Sequence, residues 1–168
     1  MKLLRCGKIG QEKPAALDKS GKIRDISYCI DDFNPENINF LNLEKIKKID
    51  LKKLPEISKS TRIGPCIAQP SKFIGIGLNF SDHAAEIGAK IPKEPIVFMK
   101  ASSCISGPYD DIIIPKGSQK CDWEVEVAFV IGKKVKNISE AEAENYIFGY
   151  CIVLSLIHIS EPTRQASI

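Results

Sequence analysis

The clearest alternation of apolar and polar positions runs through Cys121-Asp-Trp-Glu-Val-Glu-Val-Ala-Phe-Val-Ile131. Val125, Val127 and Phe129 alternate with Glu124, Glu126 and Ala128, a period of two that predicts one β-strand with an apolar face and an acidic face. Near the start, Lys2–Cys6, Pro14–Leu17 and Lys22–Ile26 read as short strands, and Asp18-Lys-Ser-Gly21 as the turn of a hairpin. Leu43, Ile46 and Ile49 fall at helical spacing with Glu44, Lys45, Lys47 and Lys48 on the other side, which predicts a helix capped by Asn42. Pro55 ends that region. Phe73–Leu78 reads as a buried strand. Asn79–Gly88 reads as a short helix, capped by Ser81 or Asp82 and closed by Gly88. Pro95–Ser103 is a strand running into a polar bend, and Ile112–Ile114 another short strand. Ser139-Glu-Ala-Glu142 is a capping box opening a helix to about Ile147, followed by a strand over Gly149–Val153.

These elements predict an α+β, β-rich chain. A small N-terminal β/α domain covers residues 1–60. A crossing over 61–70 follows, with two prolines and a glycine, and a second domain starts at residue 71. A chain of 168 residues with 43% apolar and 27% charged residues is of ordinary globular composition. Its net charge of +3, on scattered lysines, argues against nucleic acid or an anionic membrane as partner. The lysine run around residue 47 reads as a solvated face. No apolar run approaches the roughly 18 residues of a membrane span, and Met1–Arg5 lacks a signal-peptide core. Six cysteines without a C-x-x-C pair fit reduced thiols in the cytoplasm better than a zinc site or disulfide framework.

Two clusters carry candidate chemistry. Glu124 and Glu126 leave the same strand face about 6.5–7 Å apart, a spacing that suits two oxygen ligands converging on Mg²⁺ or Mn²⁺. The competing reading is a half-exposed strand with a solvated acidic face. His83 and Glu86 stand at i and i+3 of the short helix, where a carboxylate fixes an imidazole tautomer and raises its basicity, as a general base requires. A histidine bonded locally at a helix start is the alternative. Gly75-x-Gly77 is no dinucleotide fingerprint, because no third glycine follows at the needed spacing.

Gly77-Leu-Asn-Phe-Ser-Asp-His-Ala-Ala-Glu86, Pro95-Ile-Val-Phe-Met-Lys-Ala-Ser102, Asp122-Trp-Glu-Val-Glu126 and Gly149-Tyr150 occur in that order. Together they closely resemble the fumarylacetoacetate hydrolase superfamily, over Met1 to Val153. Met1–Arg5 with Gly10–Pro14 is similar to its bacterial branch of acylpyruvate hydrolases and enzymes labelled ureidoglycolate lyase. The resemblance implies a mixed β-roll, a homodimer, and Mg²⁺ or Mn²⁺ held by three carboxylates, two of them Glu124 and Glu126. It further implies a His83–Glu86 pair that activates water, and a 2-oxo acid substrate in a pocket lined by Lys100 and Ser102. Carbon–carbon cleavage would release a pyruvate-like enolate.

The chain departs from that pattern after Val153. Where the family continues with Asn-Asp, the aspartate being the third metal ligand, Leu154 and Ser155 stand instead. Leu154-Ser-Leu-Ile-His-Ile-Ser-Glu-Pro-Thr-Arg164 reads as the translated transposase adapter of sequencing libraries. Residues 154–168 are therefore expected to be a non-native tail that packs poorly, with no function for His158. Residues 71–153 would then be the N-terminal half of a truncated fumarylacetoacetase-type roll, inactive as it stands. Isomerisation or decarboxylation of a 2-oxo diacid on the same constellation is the alternative, as is a non-catalytic fragment.

Overall fold

Strands form at the three positions the N-terminal alternation marks, and a fourth joins them. In the computed structural model, which describes residues 1–158, β1 (Lys2–Cys6), β2 (Lys13–Leu17), β3 (Ile23–Asp25) and β4 (Glu56–Ile57) make an antiparallel sheet in that order. The β2–β3 turn is built on Asp18. Its Oδ1 accepts from the amide and hydroxyl of Ser20 at 2.8 and 2.6 Å and from the Lys22 amide at 3.1 Å, while Gly21 takes φ +76°. A side chain that replaces backbone partners in this way is why aspartate opens such turns. Cys6, Ala15 and Ile23 form the buried centre, with Leu4, Leu17, Ile57 and Ile63 packed around it.

Arg62 and Gly64, in the stretch expected to link two domains, are tied to β1 and to the turn that follows it. Gly64 donates to the Arg5 carbonyl at 2.8 Å and Gly7 to the Arg62 carbonyl at 2.9 Å. Arg5 grips both oxygens of Asp32 at 2.6 and 2.8 Å, and Arg62 Nη1 donates to Glu12 at 2.7 Å. The Arg5 and Glu12 side chains are only 8% and 5% exposed, so this is a buried ionic network. Burial pushes the Glu12 carboxyl up, but the Arg62 hydrogen bond and the two guanidinium charges outweigh it and hold it below the usual carboxylate range.

Helix α1 (Phe40–Lys47) starts two residues before the expected cap. Its first turn is closed by Asn39, whose Oδ1 accepts from the Asn42 amide at 2.9 Å. Ile46 is its buried residue, and Lys45, Lys47 and Lys48 are exposed, as a solvated face requires.

Downstream, β5 (Phe73–Gly77) pairs antiparallel with β6 (Ile96–Lys100), and α2 (Ser81–Glu86) lies between them in sequence. β5 is not the buried strand its composition predicts. Ile74 is 48% exposed, because this sheet has two strands and its side chains stand out from an uncovered face. β7 (Cys121–Ile131) has the bounds read from the alternation, and it pairs antiparallel with β8 (Ile147–His158) with an irregularity between Val130 and Ile131. Ile112–Ile114 is no strand. β-branched composition favours strands only where a neighbour completes the ladder, and these residues have none among the described residues.

The helix after Ser139 is a 3-10 helix, Glu140–Tyr146, and the Glu142 carboxylate accepts from both the amide and the hydroxyl of Ser139. β8 also runs five residues into the stretch expected to pack poorly. Leu154-Ser-Leu-Ile157 alternates as the strand does, and a ladder asks only for backbone groups. Residues 159–168 lie outside the described part.

By Cα packing the chain separates into two units, Met1–Asn37 with Lys48–Tyr109, and Ile38–Lys47 with the chain from Asp110 onward. All six cysteines are free thiols.

Candidate functional site

On β7 the carboxylates and the apolar residues exchange the exposures that a solvated acidic face would give. Val125, Val127 and Phe129 are 58%, 68% and 58% exposed, whereas Glu124 and Glu126 are half-buried. The acidic face is thus the covered one, and the apolar face is bare. Glu124 stands opposite Ser155 and Glu126 opposite Val153, and directly opposed residues share a sheet face. Ser155, itself buried, therefore occupies the place across from the carboxylate pair where a third acidic ligand is expected. Two carboxylates offer the oxygen donors a hard divalent cation takes. Among the described residues, however, no group of three His, Cys, Asp or Glu side chains could hold a metal ion. The donor chemistry fits such a cation, and the set is short of a full shell.

The turn into α2 is set by Leu78, which takes φ +50°, in the left-handed region that side chains seldom adopt. Neither Ser81 nor Asp82 caps the helix as expected. The cap position is Phe80, which makes no side-chain cap bond, and Asp82 Oδ1 accepts from the adjacent His83 amide at 2.9 Å. The other end closes as read. Gly88, at φ +66°, donates to the Ala85 carbonyl at 3.1 Å and Ala89 to the Ala84 carbonyl at 2.8 Å, the paired bonds of a Schellman terminus.

One turn of helix brings the predicted dyad together, with His83 Nδ1 3.8 Å from Glu86 Oε2. That is too long for a hydrogen bond. With side chains 43% and 79% exposed, the pair is loosely held and screened by water. Lys100 ends β6, and Ser102 opens the 3-10 turn Ser102–Cys104 just beyond it. The Lys100 ammonium lies 5.7 Å from the centre of the Phe98 ring. An open groove of about 320 Å³ borders the end of β5 and the start of α2, lined by Leu78, Asn79, Ser81 and Lys93 among others. Nothing in the residue pattern singled out Leu78 or this groove. His83, Glu86, Lys100 and Ser102 belong to the first unit, and Glu124 and Glu126 to the second.

Residues 72–158 match the fumarylacetoacetate hydrolase C-terminal family, a span that contains all six candidate residues. The chain belongs to the fumarylacetoacetate hydrolase family. A Burkholderia cenocepacia member, provisionally named a hydrolase, is 53% identical over 153 residues, which are 91% of this chain and 54% of that protein. The chain thus spans about half the length of the curated relatives it matches.

Among solved structures of the same fold is a protein from Mycobacterium abscessus described as a 2-hydroxyhepta-2,4-diene-1,7-dioate isomerase. It is similar at TM-score 0.68 and 26% identity, over 94% of this chain and 53% of its own. The maleylpyruvate hydrolase of Sphingobium sp. SYK-6, solved with manganese(II) and pyruvate, shares the fold at TM-score 0.77 and 20% identity, over 96% of this chain and 60% of its own. The mixed α+β architecture read from the sequence is that of this family, truncated relative to its members.

Proposed function

We propose that the chain is the N-terminal half of a divalent-metal-dependent hydrolase or lyase that cleaves a carbon–carbon bond in acylpyruvate-like 2-oxo acids. The observation that carries this reading is the family match over residues 72–158, which takes in both the helical His83–Glu86 pair and the β7 carboxylates. Residues 1–60 are assigned as an N-terminal domain, 71–153 as the first half of the catalytic domain and 154–168 as a non-native tail. The complete enzyme is assigned as a cytoplasmic homodimer.

His83 turns Nδ1 toward Glu86, which leaves Nε2 to take a proton from water. The water oxygen bonds to the carbonyl carbon distal to the 2-oxo acid. Collapse of that adduct breaks the carbon–carbon bond, giving a carboxylic acid and leaving the electron pair on the 2-oxo acid fragment as an enolate, which a proton then quenches. Lys100 and Ser102, at the end of β6, contact the substrate's carboxylate end. Mg²⁺ or Mn²⁺ held through Glu124 and Glu126 would supply Lewis-acid charge for the 2-oxo acid.

The 168-residue chain should bind the cation weakly and turn nothing over, because two carboxylates leave the shell open. Pyruvate release from an acylpyruvate, followed with and without chelator, tests the reading. The full-length enzyme, in which residues 1–153 are continued by the half its relatives carry, should release pyruvate only with metal. Metal-dependent release by the 168-residue chain itself would contradict the assignment. The likeness to the M. abscessus isomerase favours a second reading, migration of a double bond without water attack. A product that keeps all the substrate's carbons would select it.

A further inference from the structure

Gly75 and Phe98 stand directly opposite each other across the β5–β6 pair. A Cβ built on Gly75 would lie 2.4, 2.8 and 3.0 Å from Cζ, Cε2 and Cε1 of Phe98. The tip of the ring therefore lies flat on the strand backbone, in space that only glycine leaves open. Phe98 and Lys100 are two apart on β6 and leave the same face. With the ring laid over Gly75, its centre comes 5.7 Å from the Lys100 ammonium, within the range of a cation–π contact. A lysine at a strand end carries four rotatable bonds, and a ring face beside it narrows where its charge resides.

We propose that Gly75 and Phe98 are positioning residues that hold the Lys100 ammonium where it meets the substrate carboxylate, the glycine by seating the ring and the ring by attracting the charge. This rests on the reading of Lys100 as a substrate contact. Neither residue touches substrate. Both act on how tightly it binds, so the effect falls on KM and leaves kcat nearly unchanged.

The experiment is a double-mutant cycle in the full-length enzyme, with an acylpyruvate as substrate. Phe98→Leu keeps an apolar strand residue but removes the ring, and it should raise KM about 2–5-fold, the usual strength of an exposed cation–π contact. Phe98→Tyr should restore the wild-type value. Gly75→Ala should raise KM by a similar factor and add nothing to Phe98→Leu, since both act through one ring. In a Lys100→Met background, Phe98→Leu should have no further effect. Additive losses there, or a Phe98→Tyr enzyme no better than Phe98→Leu, would overturn the proposal.

The second arm is NMR on enzyme labelled with ¹³C-lysine. The ε-methylene protons of Lys100 should be shifted upfield by the ring current, keep that shift in Phe98→Tyr, and lose it in Phe98→Leu and Gly75→Ala. If Lys100→Met leaves KM untouched while the ring-current shift is present, it is the substrate reading of Lys100 that fails. If the shift is absent, it is the ring contact.

Discussion

Replacing Val127 with lysine and Ile152 with glutamate should leave the 168-residue chain folded but much less prone to self-association, and should strongly destabilise the full-length enzyme. The two residues face each other across β7 and β8 and are 68% and 78% exposed. Each therefore realises less than a third of the roughly 1.5–3 kcal/mol that full burial of such a side chain contributes, so its loss costs under about 1 kcal/mol. The opposed charges return about 0.2–1 kcal/mol as a cross-strand pair.

Trp123, Phe129, Tyr150 and Leu154 lie on the same bare face, an apolar expanse of the kind that marks an association surface. If the half found in the relatives covers it, both substitutions forfeit their full burial, and two charges must be desolvated as well. The loss then exceeds about 3–6 kcal/mol, a large part of a domain's stability. Sedimentation velocity over a concentration series reads the first effect, and thermal melting of both proteins reads the second. A full-length enzyme that tolerates the pair as well as the chain does would mean this face stays bare, and the reasoning would be wrong.

Three further outcomes follow from the same geometry. Arg5→Met removes the guanidinium partner of Asp32 and the longer, 3.5 Å contact of Glu12, which keeps Arg62 at 2.7 Å, so the melting of the N-terminal sheet should reveal a loss of about 1–3 kcal/mol, short of the cost of a buried charge left wholly alone. Asp18, held well below the carboxylate range chiefly by the Ser20 hydroxyl with Arg24 and backbone amides, and Glu12, held down by Arg62 and Arg5, bind protons more weakly folded than unfolded. Their contribution is present above the ordinary carboxylate pKa of about 4 and is lost as pH falls through the depressed folded values, so melting temperature should drop steadily below about pH 4 and change little between pH 5 and 7. Ser155→Asp places a third carboxylate across from Glu124, and calorimetric Mn²⁺ binding to the chain should tighten by roughly tenfold or more; unchanged binding would argue against this face as the metal face.

Legibility in the sequence followed local physics. A strict period of two marked β7 to its end residues, and Asp18 with Gly21 marked the hairpin turn, because each depends on neighbours a few positions away. The cap of α1 was misplaced by three residues. Asn39 and Asn42 are equally good caps, and the choice between them depends on where the chain bends into the helix. Ile112–Ile114 looked like a strand by composition and lacks a ladder partner. Alternation also told that β7 has two faces, but not that its valines would stand bare while Glu124 and Glu126 were half-buried, since cover comes from elsewhere in the fold. At the candidate site the His83–Glu86 spacing was readable. The 3.8 Å gap, the left-handed Leu78 and the ring seated on Gly75 are tertiary and were not.

The assignment of a base on α2 and a metal face on β7 is tested most directly by assaying His83→Ala and Glu126→Gln side by side in the full-length enzyme, on an acylpyruvate across a Mg²⁺ or Mn²⁺ titration. His83→Ala should lower kcat by about 10²–10⁴-fold with metal affinity little changed and no rescue by added metal. Glu126→Gln removes one of the two ligand charges, so its activity should fall and be partly restored as the cation is raised. Equal, metal-insensitive losses in the two variants, or near wild-type activity in either, would contradict the account.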